Sequence, residues 1–561
     1  MPARLSVVIL LLAIVLIAPF ALRRDAEKKN LAGGDAERVV VITPHNESIQ
    51  SEFGRAFVAH MKREHDREVF VDWRQPGGTS EITRFLKSEF ATRFETLWKR
   101  ETGLPFGRSV REAFADGGLD KAAAEAIEQG RVGDPTLLNP EDSAQLAAAA
   151  RALFLRSDIG VGIDLFFGGG AYDFNKQAAA GALVARDASG QYGPGALAEH
   201  RPDWFGDEVM PEKVSGEPFR DPEFRWVGTV LSAFGICYNT DVLRRLGIEG
   251  GLETWSDLAD PRLFGQLALA DPTKSGSTTK AFEMLIQERI QTLRRERNLP
   301  EDEAVPLGWN EAMRLILKIS ANGRYFTDSS AKVPRDVAFG DAAAGMCIDF
   351  YGRTFNELYR QADGKSRIQF VMPRGGTSIG ADPIAMLRGA PNPELAHLFI
   401  EFVLSQKGQK LWNFRPGTPG GPDRFALRRP PIRRDFYTKE NRSLMTDPDV
   451  NPYRIAEGFT YRPEWTGSLF SALRFVIRAS CIEPHEEQQA AWEALIAGGM
   501  PDEGVAAFEA IPGIDYATVV GEIAPALDRR DKVSEVKLAR KVAAVYRRHY
   551  TEIAEKYGTL R

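Results

Sequence analysis

RVVVITPHNESIQSEFGRAFVAHMKREHDREVFVDWRQPGGTS, residues 38–80, decides how the rest of the chain is read. Arg38 to Ile42 is a short β-branched run that stops at Thr43-Pro44-His45-Asn46, a strand followed by a turn. From Ser48 to Arg63 apolar residues fall at Ile49, Phe53, Phe57 and Met61, the spacing of one helix face. Val69 to Trp73 is a second strand, ended by Gln75-Pro76-Gly77-Gly78-Thr79-Ser80, and Glu81 to Phe90 resumes the helical pattern. Strand, helix, strand, helix is the rhythm of a parallel sheet with crossover helices, so the fold class is α/β.

Outward from this unit the rhythm is interrupted and then returns. Ala and Glu dominate between about 87 and 157, which reads as a helical insertion. Ile159 to Phe167 is a strand ending in Gly168-Gly169-Gly170, and Trp226 to Tyr238 is a long apolar run. Leu267 to Ala270 is a short strand that leads through Asp271-Pro-Thr-Lys-Ser-Gly-Ser-Thr278 into a helix. Further strands are expected at Ala343 to Tyr351 and Ile368 to Met372, and a patterned helix at Pro393 to Trp412. Beyond the Gly-, Pro- and Arg-rich stretch 415–434 only helical patterns remain.

The N-terminus carries an apolar run from Leu5 to Leu22, broken only by Ser6 and Pro19 and flanked by Arg4 and by Arg23 and Arg24. It reads as an uncleaved membrane anchor or the apolar core of a signal peptide, and either places the remainder outside the cytoplasm. A formal net charge of −5 supplies no basic excess for nucleic acid, so no nucleic-acid partner is expected. The three cysteines, Cys237, Cys347 and Cys481, are too scattered for a thiolate metal site and read as free thiols. The loop around Lys274 lacks P-loop spacing, no HExxH helix is present, and the seven histidines form no i, i+4 pair. No enzyme and no cofactor is expected.

In open α/β sheets ligands gather at the carboxyl ends of strands, where glycine admits close approach and helix N-termini offer free N–H groups. Four strand ends here share that composition, and they supply the candidate ligand residues Thr43, His45 and Asn46; Gly78, Thr79 and Ser80; Gly168 and Gly169; and Ser275, Gly276, Ser277 and Thr278. The same residue types are also ordinary turn and cap formers, so each loop alone is equally a structural device.

Five segments carry a family resemblance: VVVITPHNESIQSEFGRAF from Val39, DLFFGGGAYDF from Asp164, FGICYNTDVL from Phe234, TWSDLADPRLFGQLALADPTKSGST from Thr254, and SIGADPIAMLRGAPNPELAHLFIEFVLSQKGQ from Ser378. The fourth is the most specific, W-x-D-L-x-D-P-x-x-x-G, a strand, then DPTxSGS. The chain resembles the type II periplasmic solute-binding proteins of ABC transporters, in the branch of ferric-ion and aminoethylphosphonate binders. The resemblance implies a two-lobed clamp with the ligand in the interlobe cleft, a small polar or anionic solute as cargo, and an ABC permease as partner. It implies a first lobe over 38–230, a second over 231–372 and a return over 373–434; outside the resemblance lie the membrane segment over 1–24, a tether over 25–37 and a helical C-terminal extension over 435–561, read from the sequence alone. It adds Tyr351 and Asp382 to the ligand residues. Ferric binders of this kind use a histidine in the first loop and a late tyrosine pair. Here the late position reads Asp349-Phe350-Tyr351, so His45, Asp349 and Tyr351 are the candidates for a variant iron site. A membrane-anchored sensor or scaffold on the same clamp is the other reading.

Overall fold

The computed structural model describes residues 36–558 apart from Gly133 and Arg530, so the expected N-terminal membrane segment lies outside the described residues. Two sheets organise the chain. The first runs Val69–Arg74, Glu37–Ile42, Leu165–Phe167, Gly380–Leu387, Leu183–Val184, with Val227–Ser232 also paired to Gly380–Leu387. Its Glu37–Ile42 strand is parallel to both neighbours, and Gly380–Leu387 is antiparallel to all of its own. The second runs Gly323–Thr327, Leu267–Ala270, Ala344–Ile348, Phe234–Asn239, Ile368–Val371.

Both sheets are covered on two faces, and the strand period of two divides each strand between two cores. Val39 and Val41 enter one core of the first lobe, Val40 and Ile42 the other. Leu267 and Leu269 face the large core of the second lobe, while Ala268 and Ala270 face a smaller one with Cys237 and Cys347. All three cysteines are buried free thiols.

The apolar run Trp226 to Tyr238 is two strands in two sheets. Val227–Ser232 belongs to the first and Phe234–Asn239 to the second, with Ala233 alone between them. The return passes from Ile368–Val371 to Gly380–Leu387. One expected strand is shorter than the sequence suggests. It ends at Ile348, and Asp349–Leu358 is a helix, so Asp349 and Tyr351 do not share a strand face.

The helical insertion is continuous with the first lobe. Helix Thr79–Thr102 runs through the expected boundary without a break and buries Phe90, Phe94 and Trp98. Arg151, from helix Ser143–Arg156, is buried and ties the insertion down. It donates to the carbonyls of Phe114, Ala179 and Ala180 at 3.1, 2.8 and 2.6 Å and pairs with Asp120 at 2.7 Å.

The helices after Arg434 differ from a C-terminal appendage. Ala456 and Phe436 pack against the first lobe, but from Trp465 onward the chain builds the second lobe's core, where Trp492, Tyr546 and Tyr550 pack with Leu267 and Leu269. Trp492 donates to Asn322 Oδ1 at 2.9 Å, Trp309 to the Ile514 carbonyl at 3.1 Å, and Gln489 to the Gly323 carbonyl at 2.7 Å. The chain therefore passes between lobes a third time, near Phe459 and Tyr461, which pack on Met284. Helical patterning alone does not reveal such a role, because an amphipathic stripe does not say which core it covers. A chain ending at Gly458 is expected to lose cooperative unfolding of the second lobe, read by near-UV circular dichroism and by rapid proteolysis within residues 231–372. Trp492→Ala alone is expected to cost about 3–5 kcal/mol in a denaturant titration.

Candidate functional site

The first strand delivers the chain into the space between the lobes, and Thr43 fixes how. Its hydroxyl donates to the Phe167 carbonyl at 2.6 Å and accepts from the His45 N–H at 3.1 Å. Asn46 then caps helix Glu47–His65 through the Ile49 N–H at 3.1 Å. Between these anchors His45 is buried edge-on against Phe167, ring centroids 4.7 Å apart. Gly168 makes this possible. It sits at φ +91°, and a Cβ there would lie 2.4 Å from the imidazole.

Across the return strand, Asp382 accepts a 2.5 Å bond from Arg429 and a 3.2 Å bond from the Ser232 hydroxyl. Arg429 is buried over Phe350 at 4.6 Å and Trp412 at 5.5 Å, its Nη1 is 3.3 Å from His45 Nε2, and its Nε has no partner. The same His45 Nε2 lies 3.9 Å from Asp382 Oδ2, and Nδ1 is buried without a partner. Burial pushes the His45 pKa down, against a smaller upward pull from Asp382. For Asp382, burial is the largest influence and acts upward, but the Arg429 charge, its hydrogen bond and the neighbouring His45 together outweigh it and hold the carboxyl below its ordinary value.

These groups open on a cleft of about 1120 Å³ walled by both lobes. The N-cap residues of four helices lie on its wall: Asn46 of Glu47–His65, Gly78 of Thr79–Thr102, Gly170 of Ala171–Ala180 and Ser275 of Gly276–Glu296. Each brings unpaired N–H groups and the positive end of a helix dipole. The lobes also touch at the mouth. Tyr172 and Ser471 hydroxyls are 2.8 Å apart, and Asp173 lies 3.9 Å from Arg474. Burial raises the Asp173 pKa, opposed by the Arg474 charge.

Of the residues singled out in the sequence, His45, Asn46, Gly78, Thr79, Gly169, Ser275, Gly276, Ser277, Tyr351 and Asp382 stand on the cleft wall. Thr43, Ser80, Gly168 and Thr278 do not. Thr43 is spent on the loop's own bonds and Gly168 makes room for His45, while Ser80 and Thr278 are buried with their hydroxyls turned away from any partner. The iron set is not assembled. Asp349 is locked to Arg353 at 2.6 Å off the wall, and among the described residues no group of three His, Cys, Asp or Glu is placed to hold a metal.

Sequence reasoning missed Arg429, Lys280, Glu217, Glu283 and Tyr461, all on the wall. Arg429 stood only as one arginine in a loop. That loop is pinned by buried Glu52, which accepts the N–H groups of Asp423, Arg424 and Phe425 at 2.7, 2.7 and 2.9 Å. It also missed Gly376-Thr377-Ser378-Ile379-Gly380, a GxSxG string. This string enters a strand rather than a helix, and Ser378 is buried, donating to Glu217 at 2.6 Å, so it forms no nucleophile elbow.

Residues 205–430 match the family of bacterial extracellular solute-binding proteins. An uncharacterized Haemophilus influenzae protein is 28% identical over 199 residues, covering 35% of this chain and 51% of that protein. A Pseudomonas aeruginosa putrescine/agmatine-binding protein is 24% identical over 188 residues, covering 33% and 48%. The chain thus spans about half the length of these curated relatives. The periplasmic binding protein AfuA of Actinobacillus pleuropneumoniae superposes with a TM-score of 0.46 at 17% identity, over 78% of this chain and 99% of that one.

Acid is expected to destabilise the fold through His45. Its folded pKa lies below the unfolded value of about 6.5, so the unfolded chain takes up the proton first and stability falls as pH drops through that region. Buried His397 and half-buried His60 and His485 act in the same direction. His45→Gln should therefore flatten part of the slope between pH 7 and 5 in urea titrations, and an unchanged slope would remove His45 from this account.

Proposed function

We propose that this chain is an extracytoplasmic solute-binding protein that captures a small polar or anionic solute between its lobes and hands it to an ABC permease. The observation that carries this reading is the convergence of four helix N-termini, from both lobes, on one enclosed cleft beside buried Arg429. Backbone N–H groups at helix starts favour oxyanions and polar oxygens without any further device. Arg429 adds a fixed donor with one N–H still unpaired. The match of residues 205–430 to the solute-binding family supports the reading.

Closure follows from the topology. Two strands, joined by Ala233, belong to different sheets, so rotation about this junction opens the cleft without disturbing either core. The apolar run Leu5 to Leu22 fits an anchor that keeps the clamp at the outer face of a membrane. The C-terminal helices are committed to the second lobe's core.

A thermal-shift panel of phosphate, phosphonates, sugar phosphates, amino acids and polyamines, on the chain from Asp25 onward, tests the proposal. A solute at about 100 times its dissociation constant should add roughly 2.7 kcal/mol of stability, and small-angle scattering should show compaction. Ser277→Ala should weaken the hit by about tenfold, the loss of one hydrogen bond to a charged group. No shift from a broad panel, on protein shown to be folded, sinks the reading.

A further inference from the structure

One end of the cleft holds a charged group that solute capture by helix N-termini does not use. Lys280, in the second turn of helix Gly276–Glu296, places Nζ 2.8 Å from Glu217 Oε1 and 3.0 Å from Glu283 Oε2. The same ammonium stands 3.5 Å from the centroid of the Tyr461 ring. Two carboxylates and an aromatic face around one nitrogen are receptor chemistry for a primary ammonium, a compact charge with three donors.

The walls of this box are held rigid from outside. Ser378 donates to Glu217 Oε1 at 2.6 Å; Tyr461 and Thr466 donate to Glu283 Oε1 at 2.8 and 2.6 Å. Glu217 and Glu283 are 4% and 1% exposed. Tyr461 itself is fixed by the third passage between lobes, where its N–H donates to the Ser215 carbonyl at 2.8 Å beside the hairpin that carries Glu217. The second carboxylate is more than an ordinary ion pair requires. The neighbouring cleft cations are matched singly, Arg429 with Asp382 and Arg220 with Glu212. Here two buried carboxylates share one lysine, and all four side chains lie on the cleft wall.

We infer that Glu217, Glu283 and Tyr461 form a primary-ammonium site which the protein's own Lys280 occupies, making Lys280 the residue that denies this end of the cleft to cationic solutes. The selectivity half of this inference rests on the cleft being the solute site; the ammonium site itself does not. Removing the lysine leaves two buried carboxylates unpaired, the costly half of a broken buried ion pair, and opens a hole of matching charge and shape for a free amine.

The test is Lys280→Ala in the full chain, followed by thermal melts with ethylammonium chloride or sodium chloride at equal ionic strength. The variant should melt several degrees below wild type, ethylammonium should restore much of the loss saturably, and sodium chloride should not. Wild type should not respond to the amine. Adding Glu217→Gln to the variant should abolish the rescue. The variant should also gain binding of 1,4-diaminobutane by calorimetry, where wild type shows none. If Lys280→Ala does not fold in plain buffer, the yield of folded protein on dilution from urea, with either salt, gives the same reading. Equal rescue by both salts, or none by either, overturns the ammonium site. Diamine binding by wild type equal to that of the variant overturns the selectivity. A solute panel without hits leaves the melts unaffected, so the two failures are told apart.

Discussion

Ala233 is the constraint on which the molecule turns. It is the single residue between a strand of one sheet and a strand of the other, and it is buried. Because the two strands are contiguous, the first lobe cannot be laid down without fixing where the second begins. Val227–Ser232 is buried along its whole length, paired to Gly380–Leu387 on the return path. The way out and the way back are thus hydrogen-bonded neighbours. Two of the crossings between lobes are side by side, and the cleft is the space between the two packed cores.

The third passage changes the character of the clamp. By sending residues from Trp465 onward into the second lobe, the chain gives that lobe a core built from two separated stretches of sequence. The passing segment places Tyr461 on the cleft wall and Ser471 and Arg474 at its mouth. The region outside the family match therefore shapes the site. Residues 205–430 supply the hairpin with Glu217, the helix with Lys280 and Glu283, and Arg429. The last hundred or so residues supply the ring and hydroxyls that hold those charges in place.

Electrostatically the cleft is assembled from both signs of charge. Arg429 answers Asp382, Arg220 answers Glu212 and Lys280 answers two carboxylates, while the helix N-termini add positive potential beside them. Backbone N–H groups recognise oxygen without the deep well that an unpaired arginine would create.

What the sequence determined by itself was everything written in short periods. The two-residue alternation of the strands, the four-residue spacing of Ile49, Phe53, Phe57 and Met61, and the small polar residues at strand ends follow from local geometry. Eight of the twelve residues singled out at strand ends stand on one wall. What only the tertiary structure decided were meetings between distant residues. His45 and Arg429 are 384 positions apart, and Lys280 faces a tyrosine from beyond the return crossing. No periodicity encodes such partners, because an arginine in a loop or a helix with an apolar stripe has the same pattern whatever it packs against. Thr43 and Gly168 show the converse. Their residue types were read as ligand contacts, and packing used them to hold a neighbouring imidazole.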